Sequence, residues 1–172
     1  ALLGHWRDQG HFARLSVIHI DHGIHPESAD WAEIARQQAE AHHCPFEARR
    51  VSVRRATGGA GRGSTEAAAR EARYQALEAA LTEAAAADPD HPPVLVTAHH
   101  AEDQAETVLL ALMRASGGQG LSGMRPWRPR GQWAHWRPFL ETPREQLEAA
   151  AEHSELGWID DPANDDPGFA RN

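Results

Sequence analysis

The 172-residue chain has no lysine and a single cysteine, Cys44. One thiol excludes an intrachain disulfide, a four-cysteine zinc site and a C-x-x-C redox pair. A cytoplasmic setting is the plain reading. No apolar run approaches the roughly 20 residues that a membrane-spanning helix needs. No basic-then-apolar secretory leader opens the chain, and no internal repeat is present. What the chain does contain is a soluble globular composition, 41% hydrophobic and 24% charged, which argues against a disordered tail. Its length suits one α/β domain, or one domain and a fragment of another.

The net charge of −8 would discourage a polyanionic partner, but it hides an uneven distribution. Between Arg49 and Arg73 seven arginines face Glu66 and Glu71 alone. Between Arg114 and Arg144 six face Glu141 alone. From Glu145 onward eight acids face Arg171 alone. Local field matters more than net charge for a phosphate-bearing ligand. For most individual arginines, solvation is the simpler reading.

Leu2–Trp6 reads as the tail of a helix already under way, so sequence upstream of Ala1 is expected. Leu15–Ile20 reads as a short, nearly continuous apolar strand of the kind covered on both faces. Asp21–His25 forms a turn, and Pro26 with Glu27 starts a helix running to about His43. Phe46–Val53 is a second strand. The glycine-rich loop Ala56–Gly63 leads to Ser64 as cap of a long alanine-rich helix ending near Ala87. Val94–Ala98 is the clearest strand. Ala101–Arg114 is a helix with an apolar stripe at Ala105, Leu109, Leu112 and Met113. Ser116–Gly120 breaks it. A short strand is expected near Trp136. Thr142 and Pro143 open a last helix reaching about Ser154, and Trp158–Asn172 is an acidic loop. Alternating strands and helices imply an α/β fold, an open parallel sheet with helices on both faces and right-handed crossovers. The core spans about residues 1–138, with a helix and acidic loop at about 139–172.

Ligands of open parallel sheets bind beyond the carboxyl ends of the strands. That rule selects His19-Ile-Asp-His-Gly23 and Thr97–Thr107, both dense in titratable side chains. If a helix starts near His100, Asp103 and either Glu106 or Thr107 share a face. Two readings stay equally open there. The carboxylates could hold Mg²⁺, which takes one or two carboxylates plus phosphate oxygens, or Glu102 and Asp103 could compensate the helix dipole. For His19, Asp21, His22 and His25 a structural role outweighs a metal site. Glu66, Arg70 and Arg73 share a helix face, and two arginines three apart repel unless an anion lies between them, although a solvated arginine-rich face is the simpler reading. Cys44 reads as a small buried or half-buried residue entering a strand. Trp127, Trp133 and Trp136 alternate with Arg125, Arg128, Arg130 and Arg137, a mix able to stack on bases, although packing is the simpler role for each.

Together these segments resemble the tRNA(Ile)-lysidine synthetase family of PP-loop (N-type) ATP pyrophosphatases. The resemblance rests on His19-Ile-Asp-His-Gly23, Glu66-Ala-Ala-Ala-Arg70 with Arg73-Tyr74, and His99-His-Ala-Glu-Asp-Gln-Ala-Glu-Thr107. It continues through Arg114–Leu121, Arg137-Pro138, Asp160–Asn164 and Arg171-Asn172. The family's Ser-Gly-Gly-x-Asp-Ser loop is not in the sequence, Ser64 stands where asparagine is usual, and Glu102 where aspartate is frequent. The expectation is an internal part of the catalytic domain, an adenine nucleotide alpha hydrolase-like fold without its first strand, inactive alone.

The resemblance implies ATP and Mg²⁺ as cofactors. It implies an isoleucine tRNA with a CAU anticodon and free L-lysine as partners, with a homodimer open. ATP would adenylate the C2 carbonyl oxygen of the wobble cytidine, and the lysine ε-amine would displace AMP. Asp103 is assigned to the metal or the amine, and Arg70 to phosphate or tRNA contact. His19, Ile20, Asp21 and His22 line the adenosine pocket. Arg73, Arg114 and Arg137 contact RNA. Deprotonating the amine at pH 7 costs roughly 4.6 kcal/mol, so Asp103, His99 and Glu106 are candidate proton acceptors. The alternatives are a related tRNA thiolase, disfavoured by the lone thiol, a His-rich metallohydrolase using His19, His22 and His99, and a non-catalytic RNA-binding remnant.

Overall fold

A computed structural model describes residues 2–11, 14–23, 28–52, 62–113 and 122–153. Contacts divide these into two compact units, one up to Glu78 and one from Ala79, so the boundary falls inside a helix rather than at a linker.

In the first unit, α1 (Leu2–Asp8) is followed by β1 (Val17–Asp21), α2 (Ser28–Ala41), β2 (Phe46–Arg50) and the start of α3 (Arg62–Ala87). β1 and β2 pair in parallel, with Val17 opposite Phe46 and Asp21 opposite Arg50. Every β1 residue is half-buried, short of the full coverage expected from its apolar run. β2 ends at Arg50, three residues earlier than expected, and α2 begins at Ser28, past Pro26. The helix α3 starts at Arg62, ahead of the expected Ser64 cap. Its buried alanines and leucines, Ala69, Leu77, Ala80, Leu81 and Ala85, recur at helical spacing. Cys44 is buried as expected, with the Arg7 guanidinium against its sulfur at 3.6 Å.

The second unit holds β3 (Val94–Val96), α4 (Ala101–Met113), β4 (Trp127–Arg130), β5 (Trp133–Trp136) and α5 (Arg144–His153). The sheet order is β3-β5-β4. β3 and β5 are parallel, while β4 and β5 form an antiparallel hairpin. The parallel α/β class holds, and β4 adds an antiparallel edge that the sequence pattern did not reveal. Pro129 fits there because an edge strand spares one backbone donor. Gly131, with φ of 65°, makes the two-residue turn, as primed hairpin turns require.

One expectation is overturned in α4. The stripe Leu109, Leu112 and Met113 is 59%, 55% and 83% exposed, and Ala105 is exposed with it. The packed face carries Asp103, Gln104, Thr107, Val108 and Ala111 instead. The cause lies in the first turn. Ala101 N–H donates to Thr142 O at 3.0 Å. The Gln104 amide donates to Met124 O at 3.0 Å and accepts from Met124 N–H at 2.8 Å. Those bonds fix the helix rotation and turn the stripe outward. Among the described residues no helix is long and apolar enough to cross a membrane.

Candidate functional site at two strand ends

At the end of β1 the chain turns sharply. Asp21 Oδ1 accepts from Gly23 N–H at 2.7 Å, an Asx-type closure. That amide holds the Asp21 carboxyl below its ordinary range, with the Arg50 guanidinium, 3.8 Å from Oδ2, a lesser contributor. Gly23 has φ of 59°, and a Cβ there would come 3.1 Å from the Arg50 guanidinium. The turn presents His22. Its Nε2 accepts from Arg73 Nε at 3.1 Å, and α3 supplies that arginine. Burial, with the Arg73 charge second, lowers the His22 pKa. The ring's Nδ1 is buried and has no hydrogen-bond partner among the described residues. His19 lies on β1 opposite Ala48, its ring 6.5 Å from the Phe46 ring, and Ile20 pairs with Arg49.

Arg70 and Arg73, three residues apart on α3, turn to different partners. Arg70 lies over the Tyr74 ring, 5.3 Å from its centroid, while Arg73 turns to His22.

Beyond β3, His100 caps α4. Gln104 N–H donates to His100 O, closing the first turn, and Asp103 Oδ2 accepts from His100 N–H at 2.9 Å, the reciprocal half of a capping box. The same oxygen is 3.4 Å from His100 Nε2. Glu102 Oε2 lies 3.0 Å from His100 Nδ1 and accepts from Arg144 N–H at 3.0 Å. The Arg144 amide is the main reason the Glu102 carboxyl sits below its ordinary range. Both carboxylates of this turn bond backbone amides, Asp103 that of His100 and Glu102 that of Arg144. Glu102 ties α4 to α5, while Asp103 remains half-buried beside His100. Glu106 follows one turn on, also half-buried. Thr107 donates to Asp103 O at 2.8 Å.

Behind His99 runs a second cluster. Thr97 Oγ1 lies 2.7 Å from His99 Nδ1 and 2.8 Å from His135 Nε2. His135 Nδ1 lies 3.1 Å from Arg137 Nη2, and Arg137 Nη1 donates to Arg125 O at 2.9 Å. The sheet sets this up. Leu95 pairs with His135, and residues two apart on a strand share a face, so His135 and Arg137 stack on one side. His135 is 2% exposed and Arg137 7%. Burial, with the Arg137 charge second, pushes the His135 imidazole down to about 4.

Arg137 is thus placed inside the unit, hydrogen-bonded to protein groups, rather than on a surface where RNA would meet it. Asp103, His99 and Glu106 are in one unit at the β3 end. His19, Ile20, Asp21, His22, Arg70 and Arg73 are in the other at the β1 end. Arg114, His25, the Glu66 side chain and the segment from Asp160 lie outside the described residues. Trp133 and Trp136 are half-buried. Trp127 is 50% exposed beside an apolar cavity of about 240 Å³ that also includes Pro92 and Pro129. Among the described residues no three His, Cys, Asp or Glu side chains converge as a metal cage. Mg²⁺ would fit only as the sequence implies, on a carboxylate such as Asp103 with phosphate oxygens and water completing the shell.

Sequence reading missed His100, Thr97 and His135. His100 and Thr97 stood inside the selected segment Thr97–Thr107, without a role assigned to either. Thr97 and His135 are 38 residues apart, and only strand pairing joins them.

The family model for the PP-loop domain matches residues 1–172. A tRNA(Ile)-lysidine synthase of Alkalilimnicola ehrlichii is 46% identical over 92% of the chain and 33% of its own length. One from Ralstonia nicotianae is 44% identical over 97% of the chain and 34% of its own length. One from Xanthomonas axonopodis pv. citri is 41% identical over 93% and 34%. The chain spans about a third of the length of these curated relatives.

Proposed function

The chain belongs to the PP-loop domain family, and from that premise we propose that it is part of an ATP-dependent ligase. This enzyme joins lysine to C2 of the wobble cytidine in an isoleucine tRNA. The reaction runs in two steps. The C2 carbonyl oxygen attacks the α-phosphorus of ATP and pyrophosphate leaves. The lysine ε-amine then adds at C2, and AMP departs.

The β1 end is assigned to the nucleotide. Because His22 Nε2 accepts from Arg73, the ring proton sits on Nδ1, which is buried and has no protein acceptor among the described residues. A buried donor of this kind asks for an acceptor, and a purine ring nitrogen supplies one. Gly23 keeps the turn free of a Cβ on that side. Arg70 and Arg73 add positive charge toward phosphate.

The β3 end is assigned to the amine. The observation that carries this is the Asp103 carboxylate, anchored at the first turn of α4 by His100 N–H. A fixed carboxylate attracts the lysine ammonium. Together with Glu106 it offers a place for the proton that must leave before attack. Magnesium, when bound with ATP, supplies charge neutralisation of the departing pyrophosphate.

The test is Asp103→Asn in the full-length enzyme. Asparagine keeps an oxygen for the His100 amide, so α4 stays capped, but it removes the charge. Lysidine formation on a CAU-anticodon tRNA is expected to fall at least about a hundredfold. Near-normal turnover would remove Asp103 from this role.

A further inference from the structure

We propose that Thr97, His135 and Arg137 are positioning residues that fix the proton of His99 on Nε2. His99 then serves as a hydrogen-bond donor to a substrate oxygen and does not act as the base. This deepens the ligase reading above and rests on it for the identity of the substrate.

The argument starts at the buried end. An arginine guanidinium has donors and no acceptor. Arg137 Nη2 stands 3.1 Å from His135 Nδ1, so Nδ1 must accept and carries no proton. His135 is neutral at pH 7, being buried beside that cation, so its one proton is on Nε2. That N–H points at Thr97 Oγ1, 2.8 Å away, and donates to it. The hydroxyl has one hydrogen left to place. His99 Nδ1, 2.7 Å away, is its other hydrogen-bonding neighbour among the described residues. The hydroxyl donates there, His99 Nδ1 accepts, and the neutral His99 ring carries its proton on Nε2. The direction of each bond follows from the one before it, and the whole chain is set by a group that cannot lose its proton at any working pH.

The consequence changes one assignment made from sequence. A histidine whose Nε2 already holds a proton cannot take another there while neutral. It can donate to an oxygen that gains negative charge, such as a nucleotide phosphate oxygen. Proton removal from the amine is left to the α4 carboxylates.

Two measurements on the full-length protein test this. The first is a two-bond ¹H–¹⁵N correlation spectrum of ¹⁵N-histidine-labelled protein at pH 7, with His99 assigned by its loss in His99→Gln. The expected pattern is a neutral Nε2–H tautomer. An Nδ1–H tautomer or an imidazolium would overturn the proposal. The second compares Thr97→Val, nearly isosteric but without the hydroxyl, with Thr97→Ser. The valine variant should give mixed His99 tautomers and a kcat lower by about tenfold with KM for lysine nearly unchanged, and serine should restore both. Equal behaviour of the two variants would overturn the relay. The wild-type spectrum reads the tautomer whatever reaction the enzyme catalyses, so failure of the ligase assignment is distinguishable from failure of the relay.

Discussion

The two strand ends solve the same problem by different means. Each presents a histidine in a turn after a parallel strand, and in each an arginine determines which ring nitrogen holds the proton. At β1 the arginine acts directly. Arg73 is exposed and donates straight to His22 Nε2, so the proton sits on Nδ1. At β3 the arginine acts through two intermediates. Arg137 is buried, and its influence passes through His135 and Thr97 before reaching His99. A surface arm is cheap to rearrange, whereas a buried chain of hydrogen bonds is costly to break, because each severed link leaves a desolvated group unpaired.

That contrast makes the largest expected effect Arg137→Met. It strands the Arg125 carbonyl and His135 Nδ1, and should lower unfolding stability by about 2–5 kcal/mol, read from urea melts. A loss below about 0.5 kcal/mol would erase the distinction between the two ends.

Acidification should separate them next. His135 has a folded pKa of about 4 against an ordinary 6.5. The unfolded state therefore takes up its proton first as pH falls. Stability present above pH 6.5 should decline between 6.5 and 4 by about 3 kcal/mol, and this contribution is flat below. His135→Gln should show a correspondingly shallower decline than wild type over that window. Identical slopes would mean that His135 is not held neutral.

Two of the left-handed glycines, Gly23 and Gly123, sharpen the comparison further. A Cβ on Gly123 would lie 2.7 Å from the Gln104 amide nitrogen, and that amide group is held through its nitrogen and its oxygen by two bonds to Met124. Gly123→Ala should cost about 2 kcal/mol. Gly23→Ala meets only the mobile end of Arg50 and should cost about 1 kcal/mol. The reverse order in thermal melts would show that the β3 side yields more easily than its hydrogen bonds imply.

The smallest change in stability is expected for Arg73→Met, below about 0.5 kcal/mol, since the side chain is exposed. Its effect should appear in nucleotide binding instead, as a severalfold weaker affinity for ATP with the melting curve nearly unchanged.

Much of the fold was legible. The strands at Val17, Phe46 and Val94 and the helices from Leu2, Ser28, Arg62, Ala101 and Arg144 lie close to where periodicity and breakers put them, because those signals are local. The α4 stripe misled for the opposite reason. Leu109, Leu112 and Met113 have the right spacing for a buried face, but helix rotation is set by what the first turn bonds to. Gln104 and Ala101 take partners 20 and 41 residues away. The candidate site divides the same way. His22, His99 and Asp103 stood out by position after a strand, and Thr97 lay in the same selected segment, while His135 did not stand out, since only strand pairing brings it to that end.

The sequence alone determined the α/β class, the two strand ends where titratable side chains gather, and the family, because each is carried by contiguous residues whose spacing has a physical meaning. Tertiary structure decided which face of α4 is buried, that Arg137 stands behind His135 rather than at the surface, and where the His99 proton resides. Those properties belong to pairs of groups brought within hydrogen-bonding distance by strand pairing, and no single stretch of chain contains them.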